Sequence, residues 1–198
     1  MRRTSAPLAI VAALLLSSAC SRSPRVTYYT LAPGSPVQSA PQLQQPAAVA
    51  VGPVTIPELV NRPQLVVRVT PNRVAVLESH RWAEPLKTEI PRLMAQNLGQ
   101  LLGSSRVSAY GQGSGGEPRY RVLIDITRLD AVPGENVTVE ASWLVRGVGS
   151  ARREGRALVQ EKVSGAGYEA VVAALSRALA GVSAEVAKTI QSEDSAPR

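Results

Sequence analysis

The stretch ESHRWAEPL, residues 78–86, brings the only histidine of the chain together with one of its two tryptophans, two glutamates, an arginine and a proline. A histidine within reach of carboxylates is the raw material of general acid–base catalysis. His80 therefore has three readings: a catalytic base, a buried structural group, or an exposed residue in a loop between a strand and a helix, where functional residues often sit. Trp82 reads as a core lid over the helix that follows, or as an anchor for a partner together with Arg81. Tryptophan and arginine carry interface energy more often than other residues, so Arg81 and Trp82 are the candidate interaction surface.

The other chemical motifs fail on context. GQGSGG at 111–116 is a literal G-x-G-x-x-G, but a dinucleotide site needs that turn to open a helix. Here Glu117, Pro118 and then a strand pattern follow, so a flexible hairpin loop is expected. No glycine is followed by G-K-[ST], so there is no P-loop. One histidine and one cysteine cannot supply the usual zinc or redox-metal set, and no metal site or cofactor is expected. A Ser–His–Asp triad is recognised in space rather than in sequence, but there is no G-x-S-x-G elbow and His80 would have to serve alone. No catalytic residue is assigned.

Cys20 carries a different chemistry. Arg2 and Arg3 precede the apolar run LAIVAALLL, Leu8 to Leu16, and SSAC follows. That run is too short to span a bilayer, and its flanks are those of a secretory signal. A lone cysteine directly after it reads as the acylated residue of a bacterial lipoprotein. Ser17 stands where the usual lipobox has Leu, and ordinary cleavage after Ala19 is the alternative. A free cysteine at a secreted N-terminus would be anomalous, which favours acylation. Each buried acyl methylene adds about 0.8 kcal/mol of membrane affinity. Ser21, not Asp, follows Cys20, which under the enterobacterial sorting rule points to the outer membrane.

The 198 residues suit one domain with tails, and the apolar share of 44% is globular, though built from Val, Leu and Ala with no Phe. The formal charge is +7; loss of Arg2 and Arg3 leaves 20 basic residues against 15 acidic ones, a net +5. The basic residues are scattered, so they read as a solvated surface with mild attraction to anionic headgroups, and no nucleic-acid partner is expected. With a single cysteine there is no internal disulfide, and stability must come from the core.

These residues need elements to hold them. VTYYTL (26–31) reads as a short strand, and the Pro/Gln-rich 32–47 as a flexible loop. A second strand runs from Ala48 to Pro57. LVVRV (65–69) and VAVLE (74–78) flank a turn led by Pro71 and form a hairpin. Residues 84–102 have helical spacing with Gly103 as stop; Pro91 predicts a kink near 87–91 or a late start. RVSAY (106–110) is a short strand. Residues 120–130, 136–147 and 154–163 alternate and predict an antiparallel meander. From Tyr168 to Ile190, Val171, Leu175, Leu179, Val182, Val186 and Ile190 form a helical stripe that packs on the sheet. The fold class is α/β: a mixed, largely antiparallel sheet, hairpin plus C-terminal meander, packed with two main helices. The organisation is a signal peptide over 1–19, a tether over 20–25, one domain over 26–191 and a disordered tail over 192–198.

Two motifs resemble those of the ABC-type transport auxiliary lipoproteins, the PqiC-like family. Tyr28, Tyr29, Thr30 and Leu31 match its YYTL-type start. Arg62, Pro63 and Gln64 match an "RPQ" segment that leads into a hairpin, and Trp82, Ala83, Glu84, Pro85 and Leu86 match a "WAEPL" end. AALSRALAGVSAEVA (173–187) is similar to the closing helix. The resemblance implies a non-enzymatic envelope lipoprotein working beside MCE-domain proteins that move lipids between membranes. It would hold or cap the outer-membrane end of the conduit, facing the periplasm, as a homo-oligomer. A peptidoglycan-binding structural lipoprotein, and a periplasmic hydrolase using His80, are the alternatives.

Overall fold

The computed structural model describes residues 25–34, 47–112, 117–148 and 152–194. The signal segment, Cys20, most of the 32–47 loop, residues 113–116 of the glycine-rich motif and the last four residues lie outside the described residues.

Among the described residues eight strands and two helices follow one another: β1 (Thr27–Tyr29), β2 (Val49–Thr55), β3 (Gln64–Thr70), β4 (Arg73–Trp82), α1 (Leu86–Leu102), β5 (Val107–Ala109), β6 (Tyr120–Val132), β7 (Asn136–Gly147), β8 (Arg153–Lys162) and α2 (Gly167–Asp194). The fold is α/β with largely antiparallel pairing, and its strands divide between two sheets. One has the order β1-β4-β3 and the other β5-β2-β6-β7-β8. The β6–β7–β8 meander is antiparallel, as alternation predicts. The pairs of β2 with β5 and β6, and of β1 with β4, are parallel.

Along β7, Val137, Val139, Ala141, Trp143 and Val145 are all buried. The helices cover that face. α1 lies against β2 and β5, α2 against β6, β7 and β8, and the two helices pack on each other. The whole predicted stripe of α2, from Val171 to Ile190, is buried. By length and a mean hydropathy of 1.5 this helix could cross a membrane, but its apolar surface is spent on the sheet and on α1.

Four expectations need correction. β4 runs on to Trp82 rather than stopping at 78, so His80 stands on a strand and not in a loop. α1 starts at Leu86, not late, and runs through Pro91, whose missing N–H leaves the carbonyl of Lys87 without its helical donor. The chain does not fray at 192. α2 reaches Asp194, because Glu193 meets Arg153 at 2.7 Å and Asp194 meets Arg119 at 2.6 Å and accepts from the Tyr120 hydroxyl. Residues 32–34 are not loose either, since their backbone is bonded to both helices.

Candidate functional site

The three motif segments meet at one junction. β1 lies beside the end of β4 in parallel register, with Thr27 opposite His80, Tyr28 opposite Arg81 and Tyr29 opposite Trp82. The Trp82 N–H donates to the Pro63 carbonyl at 2.8 Å, and the Ala83 N–H donates to the Tyr29 carbonyl at 2.8 Å. Backbone bonds thus tie the YYTL, RPQ and WAEPL segments together, although 51 and more residues separate the first from the last. Pro85 then opens α1 by accepting from the N–H groups of Thr88 and Glu89.

Past Tyr29 the chain enters the groove between the helices. The Thr30 hydroxyl and the Leu31 N–H, the latter at 2.7 Å, donate to Oε1 of Glu89. The Ala32 N–H donates to Ser176 Oγ on α2, and the Gly34 N–H to Asn97 Oδ1 on α1, both at 3.1 Å. Glu89 and Asn97 are buried, and Glu89 Oε2 and Asn97 Nδ2 have no hydrogen-bond partner. Sequence reasoning missed both residues. The signal was present, because 86, 89, 90, 93, 97 and 98 share one helical face.

On the inner face of the small sheet, the Tyr29 hydroxyl and His80 Nδ1 lie 2.8 Å apart. Either the phenol donates to an unprotonated Nδ1, or a protonated Nδ1 donates to the phenol oxygen. The imidazole also packs on Tyr168 of α2, with ring centroids 4.5 Å apart. Burial pushes the Tyr29 phenol up, and the nearby Glu169 and Tyr168 add to the shift. A tyrosine–histidine pair can hold or pass a proton. Among the described residues no carboxylate hydrogen-bonds the imidazole as a triad would require, and no group of three or more His, Cys, Asp or Glu could hold a metal ion. Of the three readings of His80, the geometry fits a partly buried structural group.

Trp82 is 5% exposed and belongs to the core. With Val60, Leu65, Leu129 and Val171 it lines an apolar cavity of about 10 Å³, the space of one water at most. Of its two readings, core lid and partner anchor, this burial fits the core lid. Arg81 is a third exposed and is held to Glu78 at 3.6 Å. The exposed aromatic of the junction is Tyr28, at 64%, opposite Arg81 in register. Arg62, Pro63 and Glu84 are exposed, Gln64 is half-buried, and Leu31 and Leu86 are in the core. Gln64 donates to Glu78, and Glu84 pairs with Arg92 at 2.9 Å.

No curated protein matches the sequence. Solved structures share the fold, two of them over most of both chains. A crystal structure of an uncharacterized protein superposes with a TM-score of 0.68 at 19% identity, covering 84% of this chain and 99% of its own. A Xanthomonas campestris protein of the DUF330 family superposes with a TM-score of 0.64 at 20% identity, covering 84% of this chain and 96% of its own. Residues 29–187, from the tyrosine of the junction to the closing helix, match the family model described as the ABC-type transport auxiliary lipoprotein component, and the chain belongs to that family.

Proposed function

We propose that this chain is a lipid-anchored periplasmic auxiliary subunit of an MCE-type intermembrane lipid transport system. Acylated at Cys20, it holds or caps the outer-membrane end of the conduit as a homo-oligomer and so supports envelope integrity. The family match over residues 29–187 carries this reading. The use of the motif residues supports it. They join strands, fill the core and open a helix, and the only histidine is bound to Tyr29. The cavity beneath Trp82 is far too small for an acyl chain, and the action proposed for the domain is the binding of a conduit.

Tyr28 and Arg81 are the proposed contact for the partner. Register partners put their side chains on the same face of a sheet, and here that is the outer face of β1-β4-β3. The test has two arms. Mature protein isolated from membranes should carry acyl chains on Cys20 by intact mass, and an unmodified cysteine would sink the anchor. The acylated protein should co-purify with an MCE-domain protein, and Tyr28→Ala with Arg81→Ala should weaken that association. Loss of about 2 kcal/mol, roughly thirty-fold, is the scale of a true anchor. No association in the unsubstituted protein would remove the MCE partnership.

A further inference from the structure

We infer that β8 is a surface on which a second copy of this chain docks. The two β8 strands pair antiparallel about a two-fold axis, with Leu158 opposite Leu158 of the second copy. This rests on the homo-oligomer reading above and deepens it by naming the face and the register of one contact between copies.

β8 ends the large sheet. Among the described residues only β7 lies beside it. The Val163 N–H donates to the Glu135 carbonyl at 2.9 Å, and the register sets Lys162 opposite Asn136 with no irregularity along the strand. In an antiparallel ladder, residues that bond to the neighbour alternate with residues that point away from it. The odd residues of β8 therefore bond to β7, and the even ones, Glu154 to Lys162, turn their N–H and C=O groups to the open side. Among the described residues Arg177 meets the Lys162 carbonyl at 2.7 Å, and nothing meets the rest of that row. An open strand of 10 residues is a template for another strand.

The side chains say which strand fits. The odd ones face α2, where Gly181 approaches Val159. Glu154, Arg156, Leu158, Gln160 and Lys162 share the other face and are all exposed, Leu158 at 60%. A two-fold axis normal to the sheet keeps each face on its own side, so a residue must oppose one of the same parity. Centred on Leu158, the pairing sets Glu154 opposite Lys162, Arg156 opposite Gln160 and, by symmetry, the reverse of each, with the two Leu158 side chains against each other. Centred on Val159 it would set Arg156 against Lys162, and centred on Arg156 it would set two arginines together. Centred on Ala157 it would oppose Glu154 to Gln160 and Arg156 to Leu158. Opposite charges directly across a ladder stabilise it and like charges destabilise it. Among the described residues neither Glu154 nor Lys162 makes an ion pair, so the Leu158 register gives each a partner that it lacks. A strand that complements its own reverse suits an isologous contact between copies.

The test uses the full mature protein, isolated from membranes in detergent. Directly opposed residues have Cα atoms about 5.5 Å apart, which a disulfide can bridge. Leu158→Cys should therefore join to itself under mild oxidation, as a 158–158 linkage identified by peptide mass. Gln160→Cys should not, because the two copies of that residue stand about 14 Å apart. Arg156→Cys with Gln160→Cys should link 156 of one copy to 160 of the other. Glu154→Lys should weaken self-association by roughly tenfold in sedimentation, as two charge pairs turn repulsive, and Glu154→Lys with Lys162→Glu should restore it. Copies that associate without a 158–158 linkage and regardless of these charges would overturn the β8 contact and leave the homo-oligomer standing. Protein that stays monomeric at every concentration would remove both. A linkage from residue 158 to a different protein, with none to itself, would overturn the second copy as the occupant.

Discussion

Glu89 presents one oxygen to Thr30 and Leu31 and buries the other without a partner. A carboxyl in that position is kept for what it holds. In Glu89→Ala the Leu31 N–H loses its acceptor in a buried place, which costs about 1–3 kcal/mol. Glu89→Gln keeps an acceptor and should lose less. Thermal unfolding measures the loss, and faster hydrogen exchange at Leu31 and Ala32 locates it; equal protection in Glu89→Ala would show that the segment is held by its apolar contacts alone. Asp130 has the opposite character, because its partners are charged. Burial pushes its carboxyl up, but the hydrogen bonds and charges of Arg68 and Arg128 outweigh burial and hold it below its ordinary value of 3.8. A lowered folded-state pKa gives stability that is present above the unfolded value and lost as pH falls through the folded one. Asp130→Asn should therefore be less stable than the native chain at pH 7, by about 1–2 kcal/mol for a partly buried charged hydrogen bond. The gap should narrow in denaturant titrations as pH falls below the ordinary carboxyl value of 3.8 and through the lowered folded-state one; a gap independent of pH would assign the effect to packing. Neither role was legible from residue type. A lone charged residue in a sequence reads as surface until the helical face it occupies is counted, and Arg68, the partner that ties Asp130 to another strand, lies 62 residues away along the chain.

Elements were legible where pattern and burial agree. The alternation NVTVEASWLVRG gives β7 its observed bounds, and the stripe of α2 is buried along its length. β4 was read too short because ESHR has no apolar residue to mark a buried face. Its inner side is instead completed by aromatic neighbours, Tyr29 and Tyr168 around His80. The parallel partnership of β1 is set by docking between distant segments, which local pattern cannot report. The same limit hid the contact between β7 and β8 at Gly155, opposite Trp143 in register. A Cβ at Gly155 would fall inside the Trp143 indole, whose Nε1–H donates to Thr189 of α2 at 3.0 Å. Gly155→Ala must displace a ring that is packed and hydrogen-bonded. Overpacking of this kind costs about 1–3 kcal/mol, read as a lower midpoint in urea with a changed near-ultraviolet signal from Trp143. An unchanged midpoint would mean that β8 shifts outward freely as an edge strand.

At the scale of the whole molecule, Trp82 is the residue through which the small sheet, α2 and β6 share a core, beside Leu65, Val66, Leu129, Val171 and Leu175. The sequence placed the WAEPL motif at a strand–helix junction, and that holds. It could not say which of two adjacent aromatics faces inward, because Tyr28 and Tyr29 differ only in which side of a short strand they occupy. The structure gives Tyr29 and Trp82 to the inside and Tyr28 and Arg81 to the outside, and this division separates the core from the contact proposed for a partner. Trp82→Ala should cost about 3–5 kcal/mol of stability and lower the unfolding midpoint. Arg81→Ala should stay within about 0.5 kcal/mol of the native chain, as exposed positions do, while weakening the partner contact. Far-ultraviolet melting beside sedimentation of the acylated protein in detergent reads both quantities on one sample. A folded, fully stable Trp82→Ala variant that fails to associate would return the tryptophan to the interaction surface and refute the core assignment. An Arg81→Ala variant that unfolds early would show that the outer face of the small sheet is structural and that partners dock elsewhere.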